Sequence, residues 1–332
     1  MTHANASLNQ GWIYCEQVPP TTAGQTILDY YSSHYPHSSQ AVWQQRIESG
    51  LVQINGQDVT ADTRLQTGQQ LAYHRPPWYE PNVPLDFDIL YEDESLWAIA
   101  KPSGLPVLPG GGFLHHTLLH QLRCRYPDET PAPIHRLGRG TSGVMLVARS
   151  PQARAHLSQQ LRQHHMTKVY RALVGPGDLP DQFTITTPIG KIPHPTLGYV
   201  YGATIRGKSA HSDCRVLERQ SDRLQMTHRL ISHRLISHRP TTLLAVTIRT
   251  GRPHQIRIHL AAYGYPLVGD PLYDVGGQLK LKSAHSEQVA VPGDCGYWLH
   301  AHQLGFTHPQ THEWLQITCP PPPPLQIQHP SC

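Results

Sequence analysis

The sequence predicts an α+β fold built mainly on strands, preceded by a small module of helices and a hairpin. Three observations predict it. Short runs of β-branched and aromatic residues, bounded by turn residues, outnumber the stretches with helical periodicity. The few helix-length segments do not alternate regularly with the strands, which argues against a βαβ repeat. The 31 prolines in 332 residues favour turns and irregular loops over long helical bundles.

A chain of this length holds one large domain plus a small one. Residues 1–19 read as a polar N-terminal tail and 20–75 as the small module. Within that module Ile27 to Tyr35 predicts a helix, and Ser39 to Ser49 a second, ended by Gly50. Leu51-Val52-Gln53-Ile54 alternates as a strand, and Asn55-Gly56 is the favoured two-residue hairpin turn. Residues 76–84 form a proline-rich, extended linker. The large domain spans 85–320. Phe87 to Lys101 reads as a hairpin around Glu92-Asp93-Glu94-Ser95, and Thr117 to Tyr126 as a short helix. The strand Val144 to Ala148 is followed by Ser150-Pro151, a cap and then proline at the first helical position. That helix runs to about His164, with Ala153, Leu157 and Leu161 on one face. Lys168 to Val174 and Leu243 to Ile248 are strands. Pro253 starts a last helix, with Ile256, Leu260 and Tyr263 facing the core and Gly264 ending it. Residues 321–332 are a proline-rich tail. Between His228 and Arg239 a five-residue unit, His-Arg-Leu-Ile-Ser, is repeated in tandem and reads as a lengthened cationic hairpin.

No apolar run approaches the roughly 18 residues of a membrane span, and Met1 to Gln10 lacks a signal-peptide core. A soluble cytoplasmic protein is expected. The cysteines at 15, 124, 214, 295, 319 and 332 form no CxxC pair, which argues against a zinc site or a disulfide framework. His115-His116 and His164-His165 are adjacent pairs that point to different faces, without a HExxH pattern, so no metal is expected.

Charge is unevenly spread. Of the 27 cationic residues 21 are arginine. No acid lies between Glu129 and Asp178, a stretch holding Arg136, Arg139, Arg149, Arg154, Arg162, Lys168 and Arg171. A second acid-free stretch, Asp222 to Asp270, holds seven arginines from Arg223 to Arg257. If the two fold together they focus a positive field, and guanidinium forks suit phosphates and base edges. Nucleic acid is the partner this favours over two merely solvated faces.

Both stretches contain glycine-rich motifs. The first is Ile134-His135-Arg136-Leu137-Gly138-Arg139-Gly140-Thr141-Ser142-Gly143, a loop whose backbone can approach a ligand closely. Its spacing fits neither a P-loop nor a dinucleotide fingerprint. The segment resembles the His-Arg-Leu-Asp-Arg-x-Thr-Ser-Gly signature of the RluA-type RNA pseudouridine synthases. Further matches follow in that family's order. They are Lys101-Pro102 with Gly104, Lys168-x-Tyr170-x-Ala172 with Gly175, and Gly207-Lys208-Ser209-Ala210. Next come Thr250-Gly251-Arg252-Pro253-His254-Gln255-Ile256-Arg257-Ile258-His259-Leu260, Gly269-Asp270 with Tyr273, and Leu299-His300-Ala301. Arg46-Ile47, Gly50, Val52, Asn55-Gly56, Leu65, Gly68 and Leu71 resemble an S4 RNA-binding domain, though the second helix carries Gln44 and Gln45 in place of further cations.

The resemblance implies a twisted, mostly antiparallel mixed sheet with a central RNA cleft. It implies isomerisation of uridine to pseudouridine in tRNA or rRNA, by base flipping and without cofactor or metal. It makes Tyr170 the tyrosine that stacks on uracil, and Arg257 the arginine that pairs with a catalytic aspartate. The aspartate's own position is Gly138, which cannot attack a sugar carbon or accept a proton. Asp128, Glu129, Asp213 and Asp270 are the remaining acids to consider. His135, Arg136, Arg139, Thr141, Lys168, Arg252, His254 and Gln255 are expected along the RNA. Thr141 and Ser142 are expected to hold the loop by side-chain-to-backbone bonds. The leading expectation is an active, divergent synthase, acting as a monomer. A catalytically silent RNA-binding protein on the same fold is the alternative.

Overall fold

The computed structural model describes residues 8–194, 197–220, 240–280 and 290–328, so the tandem unit lies outside the described residues. Two compact units make up the chain, Met1–Asn82 with Pro193–Val200, and Val83–Ile192 with Tyr201–Cys332.

The small unit contains, in order, β1 (Trp12–Gln17), α1 (Ile27–His34), α2 (Gln40–Glu48), β2 (Val52–Ile54), β3 (Gln57–Asp58) and β4 (Gln70–Arg75). Its sheet has the order β1-β4-β2-β3. Both helices begin where a hydroxyl caps them. Thr26 accepts from the Asp29 N–H and Ser39 from the Val42 N–H. Asn55 and Gly56 have φ of 51° and 78°, as a tight hairpin turn between twisted strands requires. Ile27, Tyr31, Trp43, Ile47, Val52 and Leu71 fill its core. Reading 1–19 as a tail was incorrect. Trp12–Gln17 pairs with β4 along its whole length, and its mostly exposed side chains gave the sequence no buried stripe to detect.

The large unit follows with β5 (Asp88–Glu92), β6 (Leu96–Lys101), α3 (Leu118–Arg125), β7 (Ala132–Pro133), β8 (Ser142–Ala148), α4 (Pro151–Arg162) and β9 (Thr167–Val174). Then come β10 (Gln182–Ile185), β11 (Ile189–His194), β12 (Gly198–Ala203), of which residues 193–200 belong to the small unit, β13 (Ser212–Gln220), β14 (Thr241–Ile248), α5 (Gln255–Ala262), β15 (Leu299–Thr307) and β16 (Trp314–Thr318). The main sheet runs β10-β13-β14-β9-β15-β8-β6-β5, with β16 added to β15 and β7 to β8. Every one of these pairings is antiparallel except β15 with β8, where His300 and Ala301 align with Ser142 and Gly143. The α+β, mostly antiparallel mixed sheet expected from the sequence is the observed fold. β6 and β8 are nearly continuous apolar runs because both faces of these central strands are covered.

Three boundaries differ from expectation. α4 ends at Arg162. α5 starts at Gln255, because His254 adopts a left-handed φ of 54° and turns the chain after Pro253. Its predicted core face holds at Ile256 and Leu260, but Tyr263 is exposed and stacks on Phe183 at 4.7 Å. The C-terminal stretch read as a tail buries Leu325 against Leu173 and Leu243.

Candidate active site

The loop from Ile134 to Thr141 enters β8 where β15 runs parallel to it, and that junction fixes its position. Gly143 holds φ at 116°, and a Cβ there would stand 2.2 Å from the Ala301 carbonyl oxygen. Only glycine lets β15 come this close. The neighbouring loop then pins the backbone. The Gly104 N–H donates to the Arg139 carbonyl and the Ser103 hydroxyl to the Gly140 carbonyl, each at 2.7 Å. Lys101, 1% exposed, donates to the carbonyls of Pro102, Leu105 and Arg139. With carbonyls alone as acceptors, burial pushes its pKa down to about 7.

Register carries the site across the sheet. Lys101 on β6 is opposite Gly143 on β8, Gly143 opposite Ala301 on β15, Ala301 opposite Tyr170 on β9, and Tyr170 opposite Val246 on β14. Paired residues share a face, so Tyr170 lies two strands, about 10 Å, from Gly143 on the same side. Within that row the residue between them is Ala301. Burial pushes the Tyr170 phenol up to about 12, so it is neutral near pH 7. Lys168, two residues earlier on the same face, is 7% exposed and has no hydrogen-bond partner among the described residues. The His135 Nε2 accepts the Leu146 N–H at 3.3 Å. Burial and the nearby Lys168 hold its pKa down at about 4, so it positions the loop as a neutral ring.

α5 supplies the other wall. The Arg257 guanidinium donates through two nitrogens, each at 2.8 Å, to the two carboxylate oxygens of Asp270, and neither side chain is more than 2% exposed. Asp270 also accepts the N–H groups of Leu272 and Tyr273. Arg257 lies 4.2 Å over the Tyr297 ring, and the Tyr297 hydroxyl is 3.1 Å from Thr141 Oγ1. The Tyr273 hydroxyl donates to the Tyr201 carbonyl, so it accepts from His254 Nδ1 and leaves Nε2 as an acceptor. Burial and then Arg257 push the His254 pKa down to about 3.

The two arginine-rich segments do converge, since β9 and β14 are neighbours, but their cations part company. Arg136 is exposed. Arg139 and Arg252 are half-buried, each using Nε on a carbonyl, of Gly293 and Ser209 respectively. Arg171 pairs with His300 and so faces the opposite side of the sheet from Tyr170. Arg257 is buried with Asp270, which is its carboxylate partner here.

Two further expectations need correction. Gln255 is not available to RNA. It is 3% exposed, and its amide is used up by Thr250, the Arg252 N–H, the His211 carbonyl and Ser212. Thr141 and Ser142 bond to side chains, Tyr297 and His300, and not to backbone.

Gly138 itself is exposed, and none of the four acids named from the sequence bonds to its loop. Glu129 is held by Arg149. Asp213 is held by Arg249, His211 and Thr184, which keep its pKa down at about 2 against the cost of burial. Asp270 belongs to Arg257, and Asp128 lies exposed beyond the end of α3. What sequence reasoning missed is Tyr297. A Cβ on Gly138 would stand 3.0 Å from its hydroxyl, and one on Gly140 2.9 Å from its ring. Its place just before Leu299-His300-Ala301 was visible, but its contact with the loop was not.

A neutral buried phenol beside small residues, cations bonded to carbonyls, and a glycine loop on a mixed sheet meet at this end of β8. The comparisons give the family. A family model described as RNA pseudouridylate synthase matches residues 95–262. An uncharacterized RNA pseudouridine synthase of Synechocystis sp. is 49% identical over 90% of this chain and 95% of that protein. RNA pseudouridine synthase 5 of Arabidopsis thaliana is 37% identical over 97% of this chain and 95% of that protein. The solved structure of human RNA pseudouridylate synthase domain containing 1 shares the fold, with a TM-score of 0.55 at 24% identity, over 74% of this chain and 89% of that one. The chain belongs to the RNA pseudouridylate synthase family, whose members are isomerases acting on RNA.

Proposed function

We propose that this chain isomerises uridine to pseudouridine in tRNA or rRNA, in the cytoplasm and without a cofactor, at the end of β8 fed by the Gly138 loop. The observation that carries the reading is the row Tyr170, Ala301, Gly143, in which a neutral phenol borders two of the smallest residues. A uridine in a folded RNA reaches such a position only by leaving its stack, and a buried aromatic ring compensates for the stacking lost. Arg136, Arg139, Lys168 and Arg252 carry the flanking phosphates, with His254 Nε2 available to accept from the nucleoside. His135, Thr141 and Arg257 act behind them, holding the loop. The small unit is an S4-like RNA-binding domain in which one cation of three, Arg46, is stacked on Trp43 at 4.4 Å. Among the described residues no helix is long and apolar enough to cross a membrane.

One observation favours a second reading, a silent RNA-binding protein: among the described residues no carboxylate is hydrogen-bonded to the Gly138 loop. Tritium release separates the two. RNA from cells lacking this protein, labelled as [5-3H]uridine and split into tRNA and rRNA fractions, is incubated with the wild-type chain. Release from one fraction is expected. Tight, salt-dependent binding with no release from either would establish the silent reading.

A further inference from the structure

We propose that Tyr297 is the catalytic residue that replaces the absent acid, its phenol oxygen acting on the sugar of the target uridine. The inference rests on the synthase reading above. The hydroxyl lies 3.0 Å from where a Cβ on Gly138 would be. A carboxylate oxygen of an aspartate there would lie about 2.4 Å from that same Cβ. The phenol oxygen thus lies about as far from that Cβ as a carboxylate oxygen at 138 would reach. The loop is shaped to admit it, since a Cβ at 138 or 140 would press on the hydroxyl or the ring. Two polar neighbours address this oxygen and its ring: Thr141 Oγ1 at 3.1 Å, and the Arg257 guanidinium 4.2 Å above the ring. Asp270 fixes that guanidinium through Nε and Nη2. A tyrosine serving only to fill space would need the ring, not the hydroxyl.

A tyrosine can be a glycosidic nucleophile, as in sialidases. Burial raises the Tyr297 pKa while Arg257 and then Thr141 oppose the rise, so the group starts as a phenol. The phenol oxygen bonds to C1′ as the C1′–N1 bond breaks, and its proton passes to N1 of the departing uracil. The freed ring turns beside Tyr170. C5 then bonds to C1′ as the bond from C1′ to the phenol oxygen breaks, and the phenolate takes the C5 proton. Nothing is oxidised or reduced, and Tyr297 is regenerated.

The tritium-release assay tests this with Tyr297→Phe, Gly138→Asp and the double variant, each checked for melting temperature and RNA affinity. Tyr297→Phe is expected to fold and bind RNA as wild type does, with release at least about 100-fold slower. The double variant, with an acid in the cleared space, is expected to regain at least about tenfold of that loss. Release by Tyr297→Phe within threefold of wild type overturns the assignment and leaves the synthase reading standing. No release by wild type overturns both. Should Tyr297→Phe fail to fold, 3-fluorotyrosine at 297 serves instead: its more acidic phenol is expected to move the pH–rate profile to lower pH, and an unmoved profile overturns the assignment.

Discussion

β8 is fed at one end by Arg136 and Arg139 and runs out at the other into Arg149, and all three belong to one stretch without acids. At the outgoing end Arg149 is neutralised. It bonds to Glu129, Glu92 and the Asp93 carbonyl and stacks 4.7 Å over Trp97. Asp93 in turn accepts from Tyr91, from the Ser95 and Leu96 N–H groups, and lies 2.7 Å from His308 Nε2. At the incoming end no ion pair among the described residues engages Lys101, Arg136, Arg139, Lys168 or Arg252. Lys101, Arg139 and Arg252 are bonded to carbonyls, and Lys168 has no hydrogen-bond partner among the described residues. A segment free of acids in sequence is therefore not free of acids in space. The outgoing end is a closed ionic knot, whereas the cations of the incoming end form no ion pair among the described residues.

The largest effect that can break this comparison lies at the junction itself. Gly143→Ala forces a Cβ onto the Ala301 carbonyl, and a loss of more than about 4 kcal/mol, or failure to fold, is expected by chemical denaturation. A loss under 1 kcal/mol would mean that the two halves of the sheet do not depend on that approach. Arg149→Met removes the knot's partly exposed cation and is expected to cost about 1–3 kcal/mol while leaving RNA affinity within twofold. A tenfold loss of RNA binding there would place RNA at the wrong end.

Replacing Arg136, Arg139 and Lys168 together by Gln is expected to do the reverse. Stability should stay within about 0.5 kcal/mol, and the slope of log affinity against log salt should shrink by about 2, three contacts at roughly 0.7 each. An unchanged slope would remove these cations from the RNA. The smallest effect is on pH dependence. Burial depresses His135, His254 and His300 to about 4, 3 and 4, against 6.5 when unfolded. Between pH 6.5 and 4 the unfolded chain therefore binds more protons, and stability should fall as pH falls through that window. Lys101, about 7 when folded and 10.5 unfolded, extends the same slope from pH 7 upward. Denaturation midpoints that stay flat from pH 7 to 5 would contradict the burial of these rings.

Much of this was legible before any coordinates. Capped helices, the Asn55-Gly56 turn and the β5–β6 hairpin are local signals, and they stand where the residues placed them. The ordered motifs brought Gly138, Tyr170 and Arg257 onto one domain. What the sequence could not show was partnership. Asp270 and Arg257 are a bidentate pair across a loop, Gln255 is spent on its own turn and on His211 and Ser212, and Tyr297 meets Gly138 only because β15 lies beside β8. β1 was missed for a different reason: an edge strand with both faces largely exposed has no alternation to read.

Photo-crosslinking tests most directly which end of β8 serves RNA. RNA substituted with 4-thiouridine is bound, irradiated and mapped by mass spectrometry. Adducts are expected on peptides holding Tyr170 and the 135–141 loop. Adducts confined to peptides around Arg149, Glu92 and His308 would contradict the account.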